Sequence, residues 1–478
     1  MKKINKIKTL ILAVAVSFTA CDTVDFGDTN QNPNNPSTPV TASLLANVQR
    51  GTSGYIASTT SNLYVQYLSN GQYDEESRYQ TLNWSPDGSY GLLEDLRQII
   101  EINSNDDTKI AAQAYGSNGN QIAAATILRV YIMHGMTDRW GYLPYSEALD
   151  VSNNIYPAYD SQEAIYDGLF NELDTALASI DGGNGPDSDI YFGGDMDRWR
   201  TFANTIKMVM GLRLSKADPA KGQVKFNEAL SGVISSNAEN IKYTYLSEDS
   251  NDNPWQDRFE SRKDYLMSDV FVDKLIGTGT NTLPEDPRLA KFAEPATTSA
   301  TFVGAPYGAS NSATANYSFI TSDIISNSEA PLMIYTYSEV LFARAEAAAK
   351  GWTSEDPASL YNQAVTASME QWGVDSADAT VYLAANPYTG IEDIAYEKYV
   401  SLFFQGYNSW AEWRRFKAEG NDGRIALVAP ANLLSNATDI PQRHGYSATA
   451  GALNEDNYNA AISAQGADNL DTILWIFK

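Results

Sequence analysis

Residues 338–372 read SEVLFARAEAAAKGWTSEDPASLYNQAVTASMEQW, and this stretch decides the fold class. After Ser338, the side chains Val340, Leu341, Ala345, Ala348 and Ala349 recur at helical spacing, and Gly351 supplies a stop. Leu360, Tyr361, Ala364, Val365, Ser368, Met369 and Trp372 then mark a second helix. The alanines let two helix axes approach closely, so the pair predicts a helical hairpin. Upstream, Asp160 with Glu163 reads as a capping box ahead of Ile165, Leu169, Leu173, Leu177 and Ile180, and Asp181-Gly182-Gly183 ends that helix. Another helix is predicted from Trp199 to Ser215, closed by Asp218-Pro219. Between the helices lie Gly-, Asn-, Ser- and Asp-rich stretches at 181–198, 246–264 and 293–330, with short strands expected near Phe302-Val303 and Tyr317 to Ile320. The expected class is mostly α.

The hairpin is about the 34 residues of a tetratricopeptide unit, although the full repeat consensus is missing. A chain of 478 residues, 43% of them apolar, can bury a large core. No charge run or low-complexity stretch interrupts it after Thr41, so 41–478 reads as one domain. With 33 basic against 59 acidic residues the net charge is -26, which leaves no basic footprint for nucleic acid. One Cys and two His exclude an internal disulfide and the usual zinc sets.

The N-terminus is an address. Lys2, Lys3, Lys6 and Lys8 precede an apolar run from Leu10 to Val16 that ends in small residues before Cys21. The run is shorter than the ~20 residues that span a bilayer. Residues 1–20 therefore read as a signal peptide, and Cys21 as the acylated cysteine of a lipoprotein, with Phe18 a departure from the usual leucine. Cleavage leaves 29 basic against 59 acidic residues, or -30. Residues 21–40, rich in Asn and Pro, have little to bury and read as a flexible tether.

Six segments carry a resemblance. They are Asp138-Arg139-Trp140-Gly141-Tyr142-Leu143-Pro144-Tyr145-Ser146-Glu147-Ala148, Trp199 to Asn204 with Lys207, Asp286-Pro287-Arg288-Leu289, and Gly304 to Gly308. Tyr337 to Val340 with Ala345-Glu346-Ala347, and Glu397-Lys398-Tyr399 followed by Trp410 to Arg415, complete the set. In composition and order they resemble the SusD/RagB family, cell-surface lipoproteins that capture nutrients for a SusC-like TonB-dependent outer-membrane transporter. The resemblance implies a scaffold of four tetratricopeptide-like helix pairs and a loop-rich half carrying the ligand surface. The motif residues themselves read as scaffold. Trp140 and Tyr145 are expected to anchor a loop, Trp410 and Trp413 to share a buried helix face, and Arg414 or Arg415 to pair with Glu339, Glu346 or Glu397.

An oligosaccharide is held by aromatic faces against its C–H patch and by fixed polar groups at its rim, so its site needs several rings on one loop surface. The stretch from Tyr73 to Tyr90 mixes Tyr73, Arg78, Tyr79, Asn83 and Trp84 with acids and lacks a helical period until Leu92. Loops after the first helix contribute to the ligand surface in the related family, which adds weight to Trp84 and Tyr79. A second candidate is Asn253 to Phe259, with Trp255 and Phe259 as its rings; Tyr307 and Tyr317 are further candidates.

Other classes fare worse. No motif positions the paired carboxylates of a glycoside hydrolase, and no Ser elbow, P-loop or dinucleotide turn appears. His134, between Met133 and Met136, reads as a core residue. Asp187, Asp189, Asp195 and Asp197 read first as a solvated acidic loop and second as a calcium site, with spacing that fails the EF-hand pattern. The expectation is capture of a glycan without chemistry by a lipid-anchored protein at the outer membrane, with a peptide as the alternative cargo.

Overall fold

Ser and Asp caps, followed by apolar faces at helical spacing, set out the helices of a computed structural model that describes residues 39–150, 152–277 and 284–478. Cys21 and nearly all of the tether lie outside the described residues. The unit Thr41–Lys478 carries one large apolar core and a second, smaller cluster around Phe342 and Tyr361. Ten helices frame it: α1 Thr41–Ile56, α2 Asp87–Ser104, α3 Asn118–Trp140, α4 Gln162–Ser179, α5 Met196–Arg213, α6 Pro219–Ala229, α7 Tyr337–Ala349, α8 Pro357–Gln371, α9 Ile391–Ser401 and α10 Gly406–Glu419. Helix α3 packs with α4, α5 with α6, and α7 with α8, while α9 lies against α7 and leads through a short turn into α10. These are tetratricopeptide-like pairs, as the 338–372 stretch predicts.

The boundaries refine the reading. Helix α7 is capped by Thr336 rather than Ser338, and the chain leaves it through Gly351 at φ +74°. Asp356 caps α8 with Pro357 in the first turn. Ser161, not Asp160, caps α4. The Asp160 carboxylate instead accepts from the main-chain N–H groups of Tyr145 and Ser146, at 3.1 and 2.8 Å, and so pins the loop that follows Trp140. Helix α5 begins at Met196 and ends at Arg213, because Asp195 accepts from Asp197 N and Arg198 N. Gly141 ends α3 at φ +78°, a conformation that favours glycine, and a Cβ there would meet Gln465 Oε1 at 1.8 Å, so a larger residue would push aside the Gln465 and Leu474 side chains.

Among the described residues the loops contribute three two-stranded antiparallel ladders: β1 Leu68–Asn70 with β3 Tyr265–Met267, β2 Ile241–Tyr243 with β6 Leu332–Tyr335, and β4 Ala293–Glu294 with β5 Phe319–Ile320. The strand expected near Tyr317 to Ile320 is thus present as β5. Phe302-Val303 stays out of the ladders, and Val303 instead accepts from Ser318 N.

Buried ions cross-link the helices. Arg415 on α10 donates to Glu346 on α7 at 2.5 and 2.6 Å and to Glu412 at 2.6 Å. Glu412 also takes Lys398 of α9 at 2.7 Å and Arg213 of α5 at 3.2 Å, and Arg213 reaches Asp138 of α3 at 3.5 Å. Burial alone would raise the carboxyls of Glu412 and Asp138, but Arg415, Lys398 and Arg213 hold the first, and His134 and Arg213 the second, below the usual range. Of the acids expected to serve Arg414 or Arg415, only Glu346 does. Glu397 pairs with Arg288 at 2.6 Å, and neither carboxylate oxygen of buried Glu339 has a hydrogen-bond partner. Arg414 is held by the carbonyls of Asp138 and Gln442. His134 is buried against Tyr166 and Asp138, and Trp410 and Trp413 are buried as expected.

Candidate functional site

Helix α1 carries Gly51, Thr52, Ser53 and Gly54 in its last turns, a weak helical sequence that leaves main chain bare at the surface. Gly51 packs closely on α2, where a Cβ would meet the Leu92 Cδ2 methyl at 2.5 Å and that side chain would have to turn aside. The gap between these turns and the start of α2 opens into a depression of about 390 Å³, within the range of ligand sites. Ser58, Ser85 and Ser89 line it with hydroxyls, and Tyr55, Tyr407, Ile132 and Arg139 form much of the remaining wall. The rings of Tyr55 and Tyr407 stack at 4.9 Å and 12°. The Arg139 guanidinium lies 4.6 Å from the Tyr55 ring, 4.7 Å from that of Tyr407 and 4.6 Å from that of Trp140. Burial pushes the Tyr55 hydroxyl up to about 12 despite the nearby Arg139, so it meets a ligand as a neutral donor and acceptor.

Next to this depression, one residue along the chain at Trp84, is a smaller cleft of about 100 Å³ lined by Trp84, Tyr79, Tyr64, Gln80, Thr81, Thr60 and Glu76. Its wall is fixed by main chain: Trp84 N donates to Gly445 O at 3.1 Å, and Gly445 N to Leu82 O at 3.0 Å. The Trp84 ring stacks on His444 at 4.8 Å and 21°. His444 is packed among the rings of Trp84, Trp140, Trp410, Tyr407 and Tyr64. Burial, then Arg139, Arg414 and Arg443, holds its pKa well below the usual value, so it serves as a neutral plate.

The predicted residues separate into three groups. Trp84 and Tyr79 share the small cleft, although Tyr79 is 1% exposed and forms its floor, edge-on to Tyr64. Asn83 is exposed beside them and ties the loop down through Tyr446 O at 2.7 Å. Tyr73 and Arg78 flank the short helix Asp74–Ser77. Tyr73 is 41% exposed and accepts from Arg262 Nη1 at 2.6 Å, whereas Arg78 pairs with Asp74 and holds the main chain at Asn432. The second predicted loop fails as a surface. Trp255 is 0% exposed, packed on Phe404 and Tyr265, and Phe259 is buried against Phe319, because Asn253 caps a helix that turns both rings inward. Tyr307 is half-buried, its hydroxyl donating to Leu63 O, and acts as a strut. Tyr317 lies outside both cavities.

Asp187, Asp195 and Asp197 of the acidic stretch are exposed, as a solvated loop predicts, whereas Asp189 is buried and tied into the fold. Asp189 accepts from Gln49, Trp199 Nε1 and three main-chain N–H groups, and Asp195 caps α5; among the described residues no group of three or more His, Cys, Asp or Glu could hold a metal ion. Sequence reasoning missed Tyr55, Tyr407 and Arg139. The available signal was the pair Gly51 and Gly54 inside a helix immediately before an aromatic residue.

A family model described as "Starch-binding associating with outer membrane", SusD-like, matches residues 33–447. Among solved structures, a chitin-binding protein superposes with TM-score 0.77 at 24% identity over 92% of this chain and 99% of its own. A SusD homolog from Bacteroides fragilis gives 0.75 at 22% over 91% and 100%. A chitin-binding SusD homolog from Flavobacterium johnsoniae gives 0.73 at 21% over 91% and 98%. At such identities the likeness is one of fold. No curated protein sequence matches the chain.

Proposed function

The chain belongs to the SusD-like family, and from that membership we propose that it binds a glycan at the cell surface and passes it, unaltered, to a SusC-like TonB-dependent transporter. The observation that carries this reading is the stacked pair Tyr55 and Tyr407 on the wall of the 390 Å³ depression, which Ser58, Ser85 and Ser89 also line, with Trp84 in the smaller cleft. Rings of this kind take the C–H face of a pyranose, and hydroxyls spaced around them take its rim. Lipid on Cys21 and the tether through residue 40 would hold the domain over the transporter mouth. Among the described residues no helix is long and apolar enough to cross a membrane.

A peptide cargo is the second reading, favoured by one feature. On the other side of Gly51 and Gly54 a cavity of about 440 Å³ carries Asp249, Asp252 and Asp257, which would suit a basic peptide.

Calorimetry on the mature domain with neutral glycans, acidic glycans and basic peptides tests the choice. Glycan binding is expected, weakened by about 1 kcal/mol in Tyr407→Ala. Peptide binding alone, or glycan affinity unchanged in that variant, would remove the depression from the site. Pull-down from outer membranes should return a large β-barrel, and its absence would count against delivery.

A further inference from the structure

We infer that the cargo carries an acidic group, a carboxylate or sulfate on a sugar ring, and that Arg139 is the residue that receives it; this rests on the glycan reading above. The chain has 59 acids, yet among the described residues none lines the depression in which Arg139 stands. Arg139 is 7% exposed, and no carboxylate lies within ion-pair distance of it among the described residues. Its Nε donates to Gly135 O at 2.8 Å, which leaves both terminal nitrogens without an acceptor at the cavity wall. Other buried arginines are served differently. Arg213, Arg288, Arg415 and Arg443 each have a carboxylate within ion-pair distance, and Arg414, which has none, donates to three main-chain carbonyls, those of Trp410, Asp138 and Gln442.

A guanidinium presents its terminal N–H groups as a fork that matches a carboxylate or sulfate, and a buried one without such a partner is costly. Three ring centroids, those of Tyr55, Trp140 and Tyr407, lie within 4.7 Å of its guanidinium carbon. They supply no hydrogen-bond acceptor for the edge. Tyr55 and Tyr407 in the same wall place a sugar-binding surface beside that edge, so one acidic pyranose engages ring and guanidinium together. The strongly negative chain would repel a polyanion at most of its surface, and this acid-free depression is the local exception.

The test uses the mature wild-type domain and oligogalacturonides, their methyl esters, a sulfated oligosaccharide and neutral chito- and malto-oligosaccharides. The acid form is expected to bind at least about tenfold tighter than its ester, with the preference shrinking as salt is raised. Arg139→Met should abolish the preference and Arg139→Lys should keep part of it, in variants whose melting shows a folded domain. Preference for the sulfated ligand over the carboxylate would support the inference and identify the anion. Equal binding of acid and ester by wild type would overturn the role of Arg139 while leaving glycan capture standing. Binding of no glycan at all would overturn both. If the Arg139 variants do not fold, the acid and ester comparison on wild type decides.

Discussion

Arg415 and Arg139 are both buried beside aromatic rings, one in the helix-pair core and the other on the wall of the depression. Arg415 lies 4.4 Å over Phe416 and meets Glu346, Glu412 and Glu419. Arg139 lies among three rings and meets a single main-chain carbonyl. In the core, carboxylates from α7 and α10 converge on one guanidinium, so the ion fixes how those helices sit against one another. At the depression the same side chain stands among three rings, and its terminal nitrogens have no acceptor among the described residues. The contrast teaches that a partner inside the chain makes a buried charge part of the scaffold, whereas a charge at a cavity wall with no partner in the chain is open to one from outside.

The sharpest way to break that contrast is Arg415→Met. It strands Glu346 and Glu412 without their main cation, and unfolding free energy is expected to fall by about 3–5 kcal/mol. Chemical denaturation measures it. A loss below about 1 kcal/mol would mean that the network is incidental to helix packing and would erase the distinction from Arg139.

Glu339 gives a smaller effect from the same region. It is buried on the first turn of α7, and its carboxyl is pushed up to about 7 by burial, with Glu412 adding to the rise and Lys398 and Arg213 opposing it. A carboxyl whose pKa rises on folding favours the native state while protonated. The stability it gives is full below its usual 4.5 and is lost as pH climbs through about 7, a change of about 3 kcal/mol. Glu339→Gln should therefore flatten this part of the stability profile and melt higher than wild type at pH 8. Parallel profiles for the two proteins between pH 5 and 8 would show that Glu339 finds a cation the structure does not give it.

Much of the scaffold was legible in the sequence because its signals are local. The alanine face of α7, the glycine stop at Gly351 and Pro357 at the start of α8 each act within a few residues. The ring surfaces were harder to read. Trp255 and Trp84 both stand in polar, proline-containing stretches, yet Trp255 begins a capped helix that turns inward while Trp84 is held at a rim by Gly445, some 360 residues later. Tyr407 and Tyr55 stack across a similar separation. Local pattern carries no information about such pairings, and the same holds for Arg139, whose significance lies in the absence of an acid from a cavity assembled by distant segments.

Trp84→Ala carries the smallest expected change and isolates the ring from the loop that bears it. The loop is tied to Gly445 and Tyr446 by main-chain bonds and by Asn83, and Trp140 donates to the carbonyl of Trp84, none of which needs the indole. His444 would lose one of its five ring neighbours and keep the other four. Removal of the ring is therefore expected to weaken glycan binding by about 1 kcal/mol, with unfolding changed by a similar amount at most. Calorimetry beside thermal melting separates the two. A stability loss of several kcal/mol with unchanged affinity would move Trp84 into the scaffold, alongside Trp255, and leave Tyr55 and Tyr407 as the rings that meet cargo.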